Sequence, residues 1–145
     1  LNFMNKKPQQ TPFHLAILVD NLEKARKFYS DTLGFKEGRS SLKWVDFNFF
    51  GHQLVIHQTD FRQKPNFNQV DNHQIPVPHF GVVLQLKDWI ILKDRLINKH
   101  LQFIIEPYIR FKNTSAEQAT MFFLDPSGNA LEFKSFQNLE NLFKK

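Results

Sequence analysis

The strongest constraint on this chain is a pattern that occurs twice along it: an apolar strand, an amphipathic helix and three further strand-like stretches. The first copy opens with Phe13-His14-Leu15-Ala16-Ile17-Leu18-Val19, which reads as a buried strand. Asp20 is placed as the N-cap of a helix over 22–33, where Leu22, Ala25, Phe28, Tyr29 and Leu33 recur at helical spacing and Gly34 supplies the left-handed stop. Strands are expected over 35–40, 44–50 and 53–58, with Gly51 in a turn. The second copy opens with a strand over 79–86, takes Asp88 as the cap of a helix over 89–100, and continues with strands over 103–111, 119–124 and 130–136. Asp125-Pro126-Ser127-Gly128-Asn129 separates the last two as a turn. One such unit cannot close a core alone. The pair therefore predicts an α+β fold in which two βαβββ modules form a curved eight-stranded mixed sheet with helices on the outside.

The chain of 145 residues is read as one domain over 12–136, with modules 12–58 and 79–136. Residues 1–11 are polar and are expected as a disordered lead-in. The connector 59–78 is polar and contains Pro65, Pro76 and Pro78, so it is expected without regular structure, as a lid over a site or as a disordered linker. Residues 137–145 form a tail or a short helix carrying Leu139, Leu142 and Phe143.

Composition narrows the chemistry. There is no Cys, which removes disulfides, thiol nucleophiles, zinc fingers and iron–sulfur clusters, and leaves any metal to His, Asp or Glu. Lys and Arg exceed Asp and Glu by 19 to 14, a net charge of +5. The basic residues are scattered, however, with runs no longer than Lys6-Lys7, Arg26-Lys27 and Lys144-Lys145, so no nucleic-acid partner is expected. No apolar run approaches the roughly 20 residues that span a bilayer, and the first residues lack the apolar stretch of a signal peptide, so no membrane partner and a cytoplasmic location are expected. The 17 Phe supply a stiff core or the walls of an apolar pocket for a small-molecule substrate.

Alternation along the strands sorts the polar residues. Phe13, Leu15, Ile17 and Val19 share one face and leave His14 on the other; Phe80, Val82 and Leu84 likewise leave His79. Leu54 and Ile56 oppose His57, and Leu131 and Phe133 oppose Glu132 and Lys134. His14, His57, His79 and Glu132 thus fall on one side of the sheet. His14 and His79 open the matching strands of the two copies, and His57 and Glu132 lie in the matching last strands. Imidazoles with a carboxylate suit a divalent transition metal, Fe(II) foremost, with Mn, Zn or Ni as alternatives. A histidine packed in a strand for structural reasons is the competing reading. The same parity puts Trp44, Asp46, Asn48 and Phe50 on one face, and Glu106, Tyr108 and Arg110 on one face, as candidates for a substrate pocket. Arg110 and Lys134 are candidate clamps for a substrate carboxylate. His52 is read as a helix-facing or turn residue, and His73 and His100 as solvated.

Three sets of residues carry a resemblance: His14 with Asp20-Asn21-Leu22-Glu23-Lys24-Ala25-Arg26-Lys27-Phe28-Tyr29 and Leu33-Gly34-Phe35; His79 opening the second copy; and Phe123-Leu124-Asp125-Pro126-Ser127-Gly128-Asn129-Ala130-Leu131-Glu132-Phe133. On these the chain resembles the vicinal oxygen chelate superfamily, which contains glyoxalase I, bleomycin- and fosfomycin-resistance proteins and type I extradiol dioxygenases. Residues 44–54, Pro78-His79-Phe80-Gly81-Val82 and Glu106 to Lys112 resemble more closely a bacterial branch of extradiol-type dioxygenases. The resemblance implies a metal triad of His14, His79 and Glu132. It implies that His57 stands where glyoxalase I has a fourth ligand, there a Glu, as a ligand or as an acid/base group. Phe122 stands where ring-cleaving enzymes place a Tyr, and Tyr108 is the candidate substitute on the neighbouring strand. With Trp44, Asn48, Phe50, Arg110, Phe122 and Lys134 around the substrate, the expected activity is ring cleavage by a homodimeric enzyme. A glyoxalase-type isomerase or lyase and a metal-free drug-binding resistance protein are the alternatives.

Overall fold

In a computed structural model, residues 3–7, 11–62, 64, 66–70 and 72–145 are described. The chain divides into two compact units, residues 1–64 with 125–129 and residues 65–124 with 130–145.

The first unit follows the repeat closely. Strand β1 (His14–Val19) is followed by helix α1 (Leu22–Lys27) and by β2 (Glu37–Ser40), β3 (Trp44–Phe49) and β4 (His52–Gln58). These strands form a sheet in the order β1-β4-β3-β2, with β1 parallel to β4 and the other pairs antiparallel. The helix differs from its expected form in two ways. Asn21, not Asp20, is the N-cap, its side-chain oxygen accepting from Lys24 N at 2.9 Å, while the Asp20 carboxylate accepts from the Ser127 hydroxyl at 2.7 Å. After Lys27 the coil widens into a π-helical turn over Phe28–Thr32, closed by Leu33 N donating to Phe28 O at 3.0 Å, before Gly34 ends it at φ 85°. That extra residue turns both Phe28 and Tyr29 inward, where their rings meet edge to face at 5.3 Å.

The core of this unit is built from rings. Tyr29 lies 6.5 Å from Phe35 and 5.6 Å from Phe47, and Phe35 packs on Phe49 and Phe50 at 5.1 and 5.6 Å. Such pairs add about 0.5–1.5 kcal/mol each beyond their buried area. Part of the expected disordered lead-in joins this core. Met4 is fully buried and its carbonyl accepts from Phe50 N, and the Asn5 side chain bonds to both Gly34 O and Lys36 N. Residues 1, 2 and 8–10 of that lead-in, and 63, 65 and 71 of the expected connector, lie outside the described residues.

The second unit opens with a feature the polar connector did not announce, a hairpin of β5 (Asn66–Val70) and β6 (His73–Val77) that, among the described residues, pair with each other alone. The strand expected over 79–86 is split into β7 (His79–Phe80) and β8 (Val83–Leu84), both parallel to β11 (Ala130–Phe136). Helix α2 runs over Leu86–Asn98 from an N-cap at Gln85 that makes no side-chain bond, so Asp88 sits in its first turn instead of capping it. β9 (Phe103–Arg110) and β10 (Gln118–Leu124) complete a sheet in which β11 lies between β7/β8 and β10. Trp89 anchors α2 on this sheet by donating its indole hydrogen to Phe133 O at 2.9 Å. A short 3-10 turn over Leu139–Phe143 ends the unit. The expected single sheet of eight strands is thus corrected to a four-stranded sheet in one unit, and a five-stranded sheet with a separate ribbon in the other.

Asp125 organises its turn from within the first unit. Its two carboxylate oxygens accept from Ser127 N, Asn129 N, the Asn129 side chain and the Tyr29 hydroxyl, all between 2.8 and 2.9 Å. Burial raises the Asp125 carboxyl above its ordinary range, and the bonds from Asn129, Tyr29 and Ser127 oppose that rise. Burial also pushes the Tyr29 hydroxyl well up, with the Asp125 charge adding to it. A carboxyl raised in the folded state contributes its full stability in acid and loses it as pH rises through the raised value. Tyr29→Phe removes a donor to the charged form, so it is expected to cost about 1–3 kcal/mol, more at neutral pH than in acid. Urea denaturation at several pH values measures this.

Candidate functional site

The second unit contains a cleft of about 170 Å³. Its floor is three adjacent strands, and parity selects the residues that face it. β11 contributes Glu132 and Lys134, β10 contributes Thr120 and Phe122, and β9 contributes Ile105, Tyr108 and Arg110. β7 adds His79, and the hairpin adds Val70, His73 and Ile75.

At the centre His79 Nε2 faces Glu132 Oε2 at 3.0 Å. The other ring nitrogen, Nδ1, lies 2.7 Å from Pro76 O. A carbonyl oxygen only accepts, so Nδ1 carries its hydrogen, which leaves Nε2 of the neutral ring as a lone pair aimed at a carboxylate. Two acceptors at 3.0 Å need a proton or a cation between them. The other Glu132 oxygen is occupied, accepting from Thr120 Oγ1 at 2.8 Å with Lys134 Nζ at 3.7 Å. Phe122, the cross-strand partner of Glu132, packs edge to face on the His79 ring at 5.0 Å. The imidazole is therefore held by a hydrogen bond on one edge and an aromatic ring on one face.

Tyr108 stands in this cleft, with its ring 5.8 Å from that of His73. His73, expected as a solvated residue, is exposed and also lines the cleft, because the hairpin brings it there. Glu106 is a correction. Tyr108 and Arg110 pair with Thr120 and Gln118, but Ile105 pairs with Phe122, so β9 has one residue more than β10 over this stretch. The bulge reverses the alternation, burying Ile105 at 5% exposure and turning Glu106 to solvent. Arg110 is a wall of the cleft, its guanidinium 5.1 Å from the Phe111 ring.

The remaining candidates belong to the first unit. His14 Nδ1 lies 2.7 Å from Gln53 Oε1. His57 is in the strand that matches Glu132's, but two residues beyond the matching position. His14 pairs with Gln53 and His79 with Ala130, so the residue matching Glu132 is Val55 and His57 corresponds to Lys134. The strand neighbours of His57 are Leu18 and Trp44. The Asn48 amide is taken by Lys6 O and Gly51 N. Phe50 is a correction: at φ 54° it lies past the end of β3, where alternation no longer applies, and it packs in the ring core at 5% exposure. His52 opens β4 and accepts from Phe13 N through Nδ1 at 2.9 Å. Among the described residues no group of three or more His, Asp or Glu side chains stands together as a metal cage, so the structure presents His79 and Glu132 as a pair.

Residues 11–133 match the family described as the Glyoxalase/Bleomycin resistance protein/Dioxygenase superfamily. The chain belongs to this superfamily. A crystal structure of a glyoxalase/bleomycin resistance protein/dioxygenase from Alicyclobacillus acidocaldarius is similar at 30% identity and a TM-score of 0.76, over 92% of this chain and 97% of that one. Two more distant structures share the fold. Lactoylglutathione lyase from Agrobacterium tumefaciens has 19% identity and a TM-score of 0.64 over 96% and 100% of the two chains. A fosfomycin resistance protein, FosX, from Listeria monocytogenes, in complex with Mn(II) and 1S,2S-dihydroxypropylphosphonic acid, has 18% identity and a TM-score of 0.66 over 94% and 99%. No curated protein sequence matches. Among the described residues no helix is long and apolar enough to cross a membrane.

Gly81 has a strict steric role beside the cleft. A Cβ built on Gly81 would stand 1.6 Å from Glu132 O and 2.7 Å from Glu132 C. Gly81→Ala is therefore expected to push β11 away at Glu132, costing about 2 kcal/mol or more. Thermal denaturation together with a divalent-ion titration checks both effects. His57→Ala, by contrast, tests the register: if His57 does not answer to Glu132, any ion affinity stays within about twofold of wild type, where loss of even an outer-shell partner typically costs 10–100-fold; the same titration measures it.

Proposed function

We propose that this chain is a metal-dependent enzyme of the superfamily that acts on a small anionic molecule through two neighbouring oxygens, with ring cleavage of the extradiol type as its reaction. One observation carries the metal reading: two acceptors, His79 Nε2 and Glu132 Oε2, face each other at 3.0 Å while their outer atoms are tied down by Pro76 O and Thr120. Donors bound at about 2.1 Å to one ion at a right angle stand about 3 Å apart, so the pair fits a shared divalent ion. The donor set of nitrogen and oxygen with no thiolate fits Fe(II), and equally Mn, Zn or Ni. His14 is a further candidate ligand on its chemistry alone: its Nδ1 is engaged by Gln53, which keeps Nε2 for a ligand role. A divalent ion held by His79 and Glu132 would supply Lewis-acid chemistry for two substrate oxygens and, as Fe(II), the redox chemistry that ring cleavage needs.

The protein groups divide the remaining work. Arg110 and Lys134 attract an anionic substrate and fix the end that bears its charge. Phe122, Ile105, Val70 and Ile75 exclude water and accept an apolar or aromatic body. Tyr108 donates or takes the hydroxyl proton of the substrate, in the part that Phe122 cannot play. The hairpin covers the site, the lid role considered for 59–78. A second reading, proton transfer of the isomerase or lyase kind, is favoured by one observation: Tyr108 and His73, both able to move a proton, stand in ring contact in the cleft.

Protein purified without a polyhistidine tag is expected to bind about one divalent ion per chain, and His79→Ala or Glu132→Ala to lose it. Binding of less than about 0.2 equivalents, unchanged by these substitutions, overturns the metal reading and leaves the drug-binding alternative. After anaerobic loading with Fe(II), oxygen uptake with a panel of catechols supports ring cleavage, and Tyr108→Phe is expected to lower kcat about 10²–10⁴-fold. Absence of uptake, with deuterium exchange at the α-carbon of hydroxycarbonyl compounds, establishes the second reading in its place.

A further inference from the structure

We infer that Asp46, acting through the side-chain amide of Gln53, is a positioning residue that holds His14 in the tautomer with its hydrogen on Nδ1 and so keeps Nε2 open for an electrophile. The use of that lone pair for a divalent ion rests on the function proposed above; the relay itself does not.

Three adjacent strands carry the three residues. His14 on β1 pairs with Gln53 on β4, and β3 brings Asp46 to the same face, two residue pairs along from the Asn48–Gln53 pair. Asp46 is 8% exposed. Its Oδ2 accepts from Gln53 Nε2 at 3.1 Å, with Arg39 Nε at 3.9 Å from the same oxygen. A carboxylate oxygen accepts, so the amide of Gln53 must present its NH₂ to Asp46. Its oxygen then has to face His14, and it stands 2.7 Å from Nδ1. An amide oxygen likewise only accepts, so Nδ1 donates. Each orientation dictates the next, from the buried carboxylate outward.

The result is not what an unconstrained imidazole adopts, since the neutral ring in water prefers its hydrogen on Nε2. Nor is it shared by the adjacent histidine. His52 accepts the Phe13 N–H through Nδ1, which puts its hydrogen on Nε2. His79 reaches the His14 state by a different device, donating Nδ1–H to Pro76 O. The two strand-opening histidines of the repeat are thus set in one tautomer by unrelated partners, a side-chain relay in one unit and a backbone carbonyl in the other. Fixing the inner nitrogen so that the outer one stays basic is how outer partners prepare a histidine to bind an ion.

The test uses the 145-residue chain, metal-free, at mildly alkaline pH, where imidazole is neutral. Long-range ¹H–¹⁵N spectra of the wild type are expected to show His14 and His79 protonated on Nδ1 and His52 on Nε2. Gln53→Leu and Asp46→Asn are each expected to move His14 to the Nε2–H form while His52 and His79 stay unchanged, so that the two act as folding controls within one spectrum. The relay is overturned if wild-type His14 is protonated on Nε2, or if it keeps Nδ1–H in both variants. In a Zn(II) titration by calorimetry, Gln53→Leu is expected to bind 10–100-fold more weakly than wild type. Equal affinities would overturn the use of Nε2 for an ion. A tautomer that switches as expected in a wild-type protein that takes up no Zn(II) refutes the metal function and leaves the relay standing.

Discussion

The candidate site depends on a backbone contact in which no functional side chain takes part. Gly81 lies against the Glu132 peptide so closely that a Cβ has no room. A first strand with ordinary side chains throughout would lie at normal spacing from β11 along its whole length. Here pairing holds at Ala130–His79 and again at Lys134–Val83, and between them the chain presses in at Gly81. The approach draws His79 to within 3.0 Å of Glu132. It also explains why the second copy of the repeat has two short strands where the first has one of six residues.

Much of this was legible from period-two alternation, because a strand inside a sheet has no freedom to turn one side chain against its neighbours. Parity alone put Glu132, Lys134 and His79 on one face, and Tyr108 with Arg110. It failed wherever the alternation was interrupted. Phe50 sits beyond a strand end with a left-handed backbone, and Glu106 follows a bulge, and neither event has a marked signature in the letters around it. Thr120 was accessible by the same rule, since β10 alternates Thr120, Phe122 against Met121, Phe123; the signal was there in a strand whose two faces are both buried, where hydrophobicity does not separate them.

The hairpin was illegible for another reason. Asn66 to Val77 buries little on either side, so it lacks the apolar stripe by which a strand is recognised. Two-stranded ribbons are stabilised by cross-strand pairs and by whatever they cover, which are long-range matters. His73 and Ile75 could not be assigned to the site without it. The repeat also concealed a difference of detail. It matched strands correctly between the two units but carried no register, and register decides that Val55 and not His57 answers to Glu132.

The bond from His79 to Pro76 O has a thermodynamic meaning apart from orientation. Pro76 is a residue of β6, so the ring that faces Glu132 and the ribbon beside the cleft share one hydrogen bond. Free energies of coupling are reciprocal. Whatever engages Nε2 strengthens Nδ1–H as a donor and thereby tightens the ribbon. Whatever loosens the ribbon weakens what Nε2 can hold, by the same factor. Occupancy of Nε2 and order in the ribbon are in this sense a single quantity, read from two sides of one imidazole.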